Sequence, residues 1–164
     1  MTETSYLLVG AGTKPSVSYC TPAGLTATIL LKWLLCWEHP RTHTVWLAKA
    51  LPREWLQEGE IVRVDGAATA WGRVSMVLTS SITSASTVRA NITVPSSWVA
   101  GHPPEGGLLL RLRTPAKREI ESVMVGQTVW SDVNASSECV VFTAQQLQQQ
   151  GMPARLQDIE VKYK

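Results

Sequence analysis

Residues 107–130 read GLLLRLRTPAKREIESVMVGQTVW, and their period-two alternation constrains the fold more than any other stretch. Leu108, Leu110 and Leu112 share one parity, while Leu109, Arg111 and Arg113 share the other. In a strand, such alternation sends one row of side chains into a core and the other row away from it. Pro115 interrupts the pattern, because its ring fixes φ and removes the N–H that a ladder needs. Alternation resumes with Ile120, Ser122 and Met124 against Glu119, Glu121 and Val123. The expected pairing is a hairpin across 114–118 that sets Arg113 beside Glu119 and Arg111 beside Glu121. Each such opposite-charge pair contributes roughly 0.2–1 kcal/mol.

The same pattern recurs along the chain. Strands are expected at 44–49, 61–65, 72–82, 87–94, 127–130 and 139–142, with Val88, Ala90, Ile92 and Val94 facing inward. Pro52 and Gly59 bracket a short helical turn. Residues 66–70, 95–106 and 131–137 read as loops, 144–150 as a short glutamine-rich helix stopped by Gly151, and 159–163 as an edge strand or a free end. Thr21-Pro22 opens a helix expected to run to Pro40 and to pack on the sheet, with Leu25, Ile29, Leu30, Trp33, Leu34 and Trp37 at helical spacing. The fold class that follows is mainly β: an antiparallel β-sandwich of about seven or eight strands with one N-terminal amphipathic helix and a short helical turn. The chain divides into an N-terminal segment with the helix (1–40), the sandwich (41–143) and a polar C-terminal tail (144–164).

Composition narrows the partners. The 164 residues carry a net charge of +2 with Lys and Arg scattered, which gives no basic surface for nucleic acid. The longest apolar run, 29–37, is broken by Lys32 and is too short to span a bilayer. Cys20, Cys36 and Cys139 have no metal-ligand spacing and read as free, buried thiols, with one disulfide plus a spare thiol as the competing reading. The odd cysteine number and the absence of a signal-peptide pattern at the start lean toward the cytoplasm. Gly10-Ala11-Gly12 after Tyr6-Leu7-Leu8-Val9 reads as a plain loop, since Pro15 replaces the third glycine of a dinucleotide fingerprint.

No catalytic site emerges. Glu119 and Glu121 share a strand parity, but the arginines expected opposite them suit ion pairing better than a general acid. The three histidines fall in loops, and no nucleophile elbow is present. Neither a cofactor nor a metal is implied. The surplus is in the seven tryptophans. Trp46 and Trp55 read as packing residues, and Trp33 and Trp37 belong to the helix face. Trp71, Trp98 and Trp130 fall at strand ends or in loops, where an aromatic face can stack on a sugar.

Residues 44–64, from TVWLAKALPREWL onward, together with Trp71-Gly72-Arg73-Val74-Ser75, Leu110-Arg111-Leu112-Arg113-Thr114-Pro115, Ile120-Glu121-Ser122-Val123-Met124-Val125-Gly126 and Trp130-Ser131-Asp132, resemble the C-terminal β-sandwich region of bacterial glycoside-hydrolase-like proteins. In those proteins an (α/α)6 toroid precedes the sandwich, and residues 21–38 resemble its last helix. Val125-Gly126-Gln127 departs from that family's VNG turn. The resemblance implies a sandwich fold and places catalytic carboxylates in the toroid, outside this chain.

Two readings follow. One is a non-catalytic accessory module that docks onto a helical toroid domain or a second copy through Ile29, Trp33, Leu34 and Trp37. The other is a carbohydrate-binding module that holds a glycan on Trp71, Trp98 or Trp130. An enzyme in its own right is a minor third.

Overall fold

The computed structural model describes residues 21–148 and 155–164. The expected strand at 6–9, the Gly10–Gly12 loop, Cys20 and the Gly151 stop lie outside them. The chain divides into two compact units, Met1–Leu31 and Lys32–Lys164.

The second unit is a β-sandwich. One sheet holds five strands in the order β1 (Cys36–Glu38), β2 (Val45–Leu47), β6 (Leu108–Arg111), β10 (Cys139–Phe142), β9 (Val133–Asn134). The other holds six, in the order β3 (Ile61–Thr69), β4 (Gly72–Ser81), β5 (Thr87–Thr93), β11 (Arg155–Tyr163), β7 (Ile120–Val125), β8 (Thr128–Val129). Pairing is antiparallel except between β2 and β6. Among the described residues eleven strands form, more than expected, because β1 and β9 have only three and two residues, too few for a period to register in sequence, and β11 joins a sheet.

Alternation becomes burial. Across the six-stranded sheet, Val64, Met76, Ile92 and Leu156 stand in register, as do Val62, Leu78, Ala90 and Ile159. Across the five-stranded sheet, Cys36, Leu47, Leu110 and Val140 form one inward row, and Val45, Leu108 and Phe142 form another. Except for half-buried Val64, these side chains are buried, and all pack as one cluster between the sheets. Val88, Ala90, Ile92 and Val94 point inward as expected.

The 107–130 hairpin does not form. Both edges of β6 are occupied, by β2 and by β10, while β7 pairs with β11 and β8 in the opposite sheet. The turn after Leu112 exists, with the Lys117 N–H donating to the Thr114 carbonyl and the Arg118 N–H to the Thr114 hydroxyl. It carries the chain across the end of the sandwich instead of back on itself, with Leu112 and Thr114 fully buried on the way. Arg53 locks this crossing. Its guanidinium makes two 2.8 Å contacts with the Glu138 carboxylate and donates to the Thr114 carbonyl at 2.7 Å.

Three further expectations change. β11, expected at an edge or free, lies inside its sheet between β5 and β7. β3 runs on through the expected loop at 66–70 by a bulge, where Gly66 takes a positive φ of 60°. The long helix α1 is Thr21–Leu35, stopping short of Pro40, because Cys36–Glu38 leaves it to pair with β2. Its last carbonyls are satisfied all the same: the Ala48 and Ala50 N–H groups donate to Leu35 and Leu34. The short helices α2 (Ser96–Val99) and α3 (Ala144–Gln148) complete the unit, along with a 3-10 turn at Arg53–Leu56.

Candidate interaction surfaces

Helix α1 is apolar on most of its circumference. Leu25, Ile29, Leu30, Leu31 and Trp33 are 62, 47, 51, 47 and 48% exposed. At roughly 100° per residue these positions cover about two thirds of the helix circumference, too wide for the single stripe of an amphipathic surface helix. The expected apolar face is thus wide and exposed, and Thr28 and Lys32 occupy the remaining third of the circumference. The expected interaction residues also divide. Ile29, Trp33 and Leu34 lie on α1, whereas Trp37 lies on β1, where it pairs directly with Trp46. Beyond the helix end, Leu35, Trp55 and Ile61 line an open groove of about 260 Å³, with Ile61 64% exposed.

The three tryptophans expected to hold a ligand have different fates. Trp98 sits on α2 with no exposed surface, and its indole N–H donates to the Trp71 carbonyl at 2.8 Å. It is a core residue and has no face for a sugar. The loop reading failed because one turn of helix after Pro95 carries Trp98 into the core. Trp71 is half-buried against the core, its ring centroid 6.0 Å from that of His43. Trp130 packs on Phe142 at 5.0 Å and donates its indole N–H to the Val141 carbonyl. The three do not form one platform.

A different aromatic pair emerges on the outer face of the five-stranded sheet. Trp37, Trp46, Leu109 and Val141 stand in register across β1, β2, β6 and β10, on the side opposite the core rows. Each is half-buried. The Lys49 amine sits 2.8 Å from the Trp37 ring centroid and 5.5 Å from that of Trp46, a cation–π stack. Burial of the amine lowers the Lys49 pKa, and the neighbouring Arg111 lowers it further. Arg111 donates to the Lys49 and Ser137 carbonyls. Sequence reading assigned Trp37 to a helix and Trp46 to packing, so their pairing was hidden. The parity of Trp46, between inward Val45 and Leu47, was the available signal.

The carboxylates do not converge. Glu119 and Glu121 face Lys164 at 3.9 Å and Lys162 at 3.1 Å, not the expected arginines. Glu58 lies at a cleft of about 330 Å³ lined by Ile82, Pro115 and Arg118. The Ser84 hydroxyl and the Thr83 N–H bond it and hold its pKa below the ordinary value. Cys36 and Cys139 are free, buried thiols, and burial pushes the Cys36 pKa up to about 11. Among the described residues no three His, Cys, Asp or Glu side chains are grouped to hold a metal, and no helix is long and apolar enough to cross a membrane.

No family model, curated protein or solved structure matches the chain.

Proposed function

We propose that this chain is an accessory β-sandwich module that docks, through helix α1, into a helical partner body. The observation that carries the reading is the exposure of Leu25, Ile29, Leu30, Leu31 and Trp33 around one 15-residue helix. An apolar arc of about two thirds of a helix, with only Thr28 and Lys32 on the remainder, gains most from a surround that covers it. At about 22 Å it is shorter than the roughly 30 Å hydrocarbon layer of a bilayer, which favours protein over lipid as the surround. An exposed apolar patch of this kind marks an interaction site. The likeness of residues 21–38 to the last helix of an (α/α)6 toroid supplies the identity of the partner: neighbouring helices of such a toroid, with the sandwich attached at its end. The module itself carries no catalytic role in this reading.

The test is sedimentation of the full chain beside an Ile29→Asp, Trp33→Asp variant. The parent chain should self-associate through the uncovered helix in the absence of its partner, and the variant should be monomeric with an unchanged sandwich unfolding transition. A parent chain that stays monomeric at high concentration, with the α1 amides as protected as those of β5, would overturn the reading.

A further inference from the structure

We propose that the outer face of the five-stranded sheet binds a carboxylate-bearing sugar, a uronate residue of an acidic glycan, with Trp46 as the stacking surface and Lys49 and Arg111 as the carboxylate clamp. The inference is independent of helix α1.

Three observations converge on it. First, the face is built from the backbone outward: the Trp37–Trp46 pair is fixed by β1–β2 register, and Leu109 and Val141 extend the same row on the two strands beyond. The result is an apolar strip across four strands whose side chains keep part of their surface open. The flat face of an indole packs on the C–H side of a pyranose ring and buries apolar area there. Second, the strip has two cations at one end. Lys49 is held over the rings, and Arg111 lies beside it with a guanidinium N–H on the Lys49 carbonyl. Third, these cations enter no ion pair with a carboxylate among the described residues. Arg111 meets only backbone carbonyls. Lys49, packed against aromatic rings and partly desolvated there, gains more from an incoming anion than a solvated lysine would, and Arg111 beside it adds a second positive charge. The depressed Lys49 pKa reports that same desolvation and crowding.

The chemistry sets the selectivity. A neutral sugar satisfies the indole and leaves both cations unpaired, and a small inorganic anion satisfies the cations and leaves the indole bare. A uronate does both, because its carboxylate projects from the edge of the ring that stacks. Arg presents a planar fork that fits a carboxylate in two hydrogen bonds, while Lys supplies a point charge.

The test is isothermal titration and tryptophan fluorescence of the full chain with a purified oligogalacturonide and, in parallel, with a neutral galactan oligomer. The acidic oligomer should give heat and a fluorescence change, weakened by added salt, and the neutral one should give neither. Lys49→Gln should weaken binding by about tenfold, the loss of one charged hydrogen bond. Lys49→Arg should retain binding, and Arg89→Gln, on the other sheet, should leave it unchanged. Trp46→Ala should abolish the fluorescence change; if that variant fails to fold, Lys49→Gln alone decides. Equal binding of the two oligomers, absence of heat with the acidic one, or full affinity in Lys49→Gln overturns the proposal. A sulfated glycan bound more tightly than the uronate also overturns it.

Discussion

On the outer face of the six-stranded sheet Arg89 reaches Glu160 at 2.7 Å, Lys162 reaches Glu121 at 3.1 Å and Arg63 reaches Asp65 at 2.8 Å. On the outer face of the five-stranded sheet the corresponding places hold Trp37, Trp46, Leu109 and Val141, with Lys49 and Arg111 at one end. Both sheets send aliphatic rows into one shared core, so the contrast lies wholly on the sides facing away from it. Alternating opposite charges are what a solvated face needs to stay soluble and in register. A row of Trp37, Trp46, Leu109 and Val141, beside two cations that meet no carboxylate among the described residues, lacks that pattern. Two sheets with the same interior logic thus differ in their exteriors alone.

If the inward rows are equivalent, cutting either should be severe. Phe142→Ala in the five-stranded sheet should cost about 3–5 kcal/mol in urea unfolding, from lost burial, the cavity and the lost ring contact with Trp130. A much smaller loss would mean that this sheet is only loosely part of the core. Next in size is the link that closes the sandwich end. Arg53→Ala leaves the 7%-exposed Glu138 without its partner and takes one of two donors from the Thr114 carbonyl, which keeps the Lys117 N–H, so roughly 3 kcal/mol should be lost.

Alkaline pH tests the sheets through one buried ionisable group from each. Cys36 in the five-stranded sheet has its pKa raised from 9.0 to about 11, and Tyr163 in the six-stranded sheet is also raised, both first by burial. In each case the unfolded form ionises before the folded one, so stability is full below pH 9 and falls as pH rises from 9 through about 11. The loss from Cys36 alone should be on the order of 2–3 kcal/mol. Cys36→Ala should remove part of the earlier decline, the rest belonging to the buried Cys139 thiol, and Tyr163→Phe should remove the later part. Unfolding midpoints measured from pH 8 upward report both.

The smallest effect sharpens the comparison most. Glu160→Ala breaks an ion pair whose two side chains are 36% and 69% exposed, so it should cost less than about 1 kcal/mol and fade in salt. Trp46→Thr on the opposite exterior should cost about 1–2 kcal/mol through lost apolar burial and the Lys49 stack, with little salt dependence. Equal costs, or equal salt sensitivity, would erase the distinction between the two faces.

Much of the fold was legible. The inward parity of β5 could be read residue by residue, because a strand with one buried face writes its orientation into alternate positions. The sandwich class and the helical turn at Arg53–Leu56 followed in the same way. The candidate surfaces were less legible. Trp98 looked like a loop residue because four helical residues after a proline leave no periodic trace, yet they are enough to bury it. Trp37 looked helical because its spacing from Trp33 and Leu34 suits a helix, and only the pairing of Cys36–Glu38 with β2 places it on a sheet.

The sequence by itself determined which side of each long strand is apolar, since that property is local and repeats every second residue. It also determined that a helix with a wide apolar face opens at Thr21-Pro22, though not that it ends at Leu35. Tertiary structure alone decided which strands meet. β6 and β7 carry the complementary charges of a hairpin, but a strand has only two hydrogen-bonding edges, and β2 and β10 fill those of β6. Saturating the backbone of both sheets and sealing one core between them outweighs two exposed charge pairs worth well under about 2 kcal/mol together, so the chain crosses from one sheet to the other at Thr114.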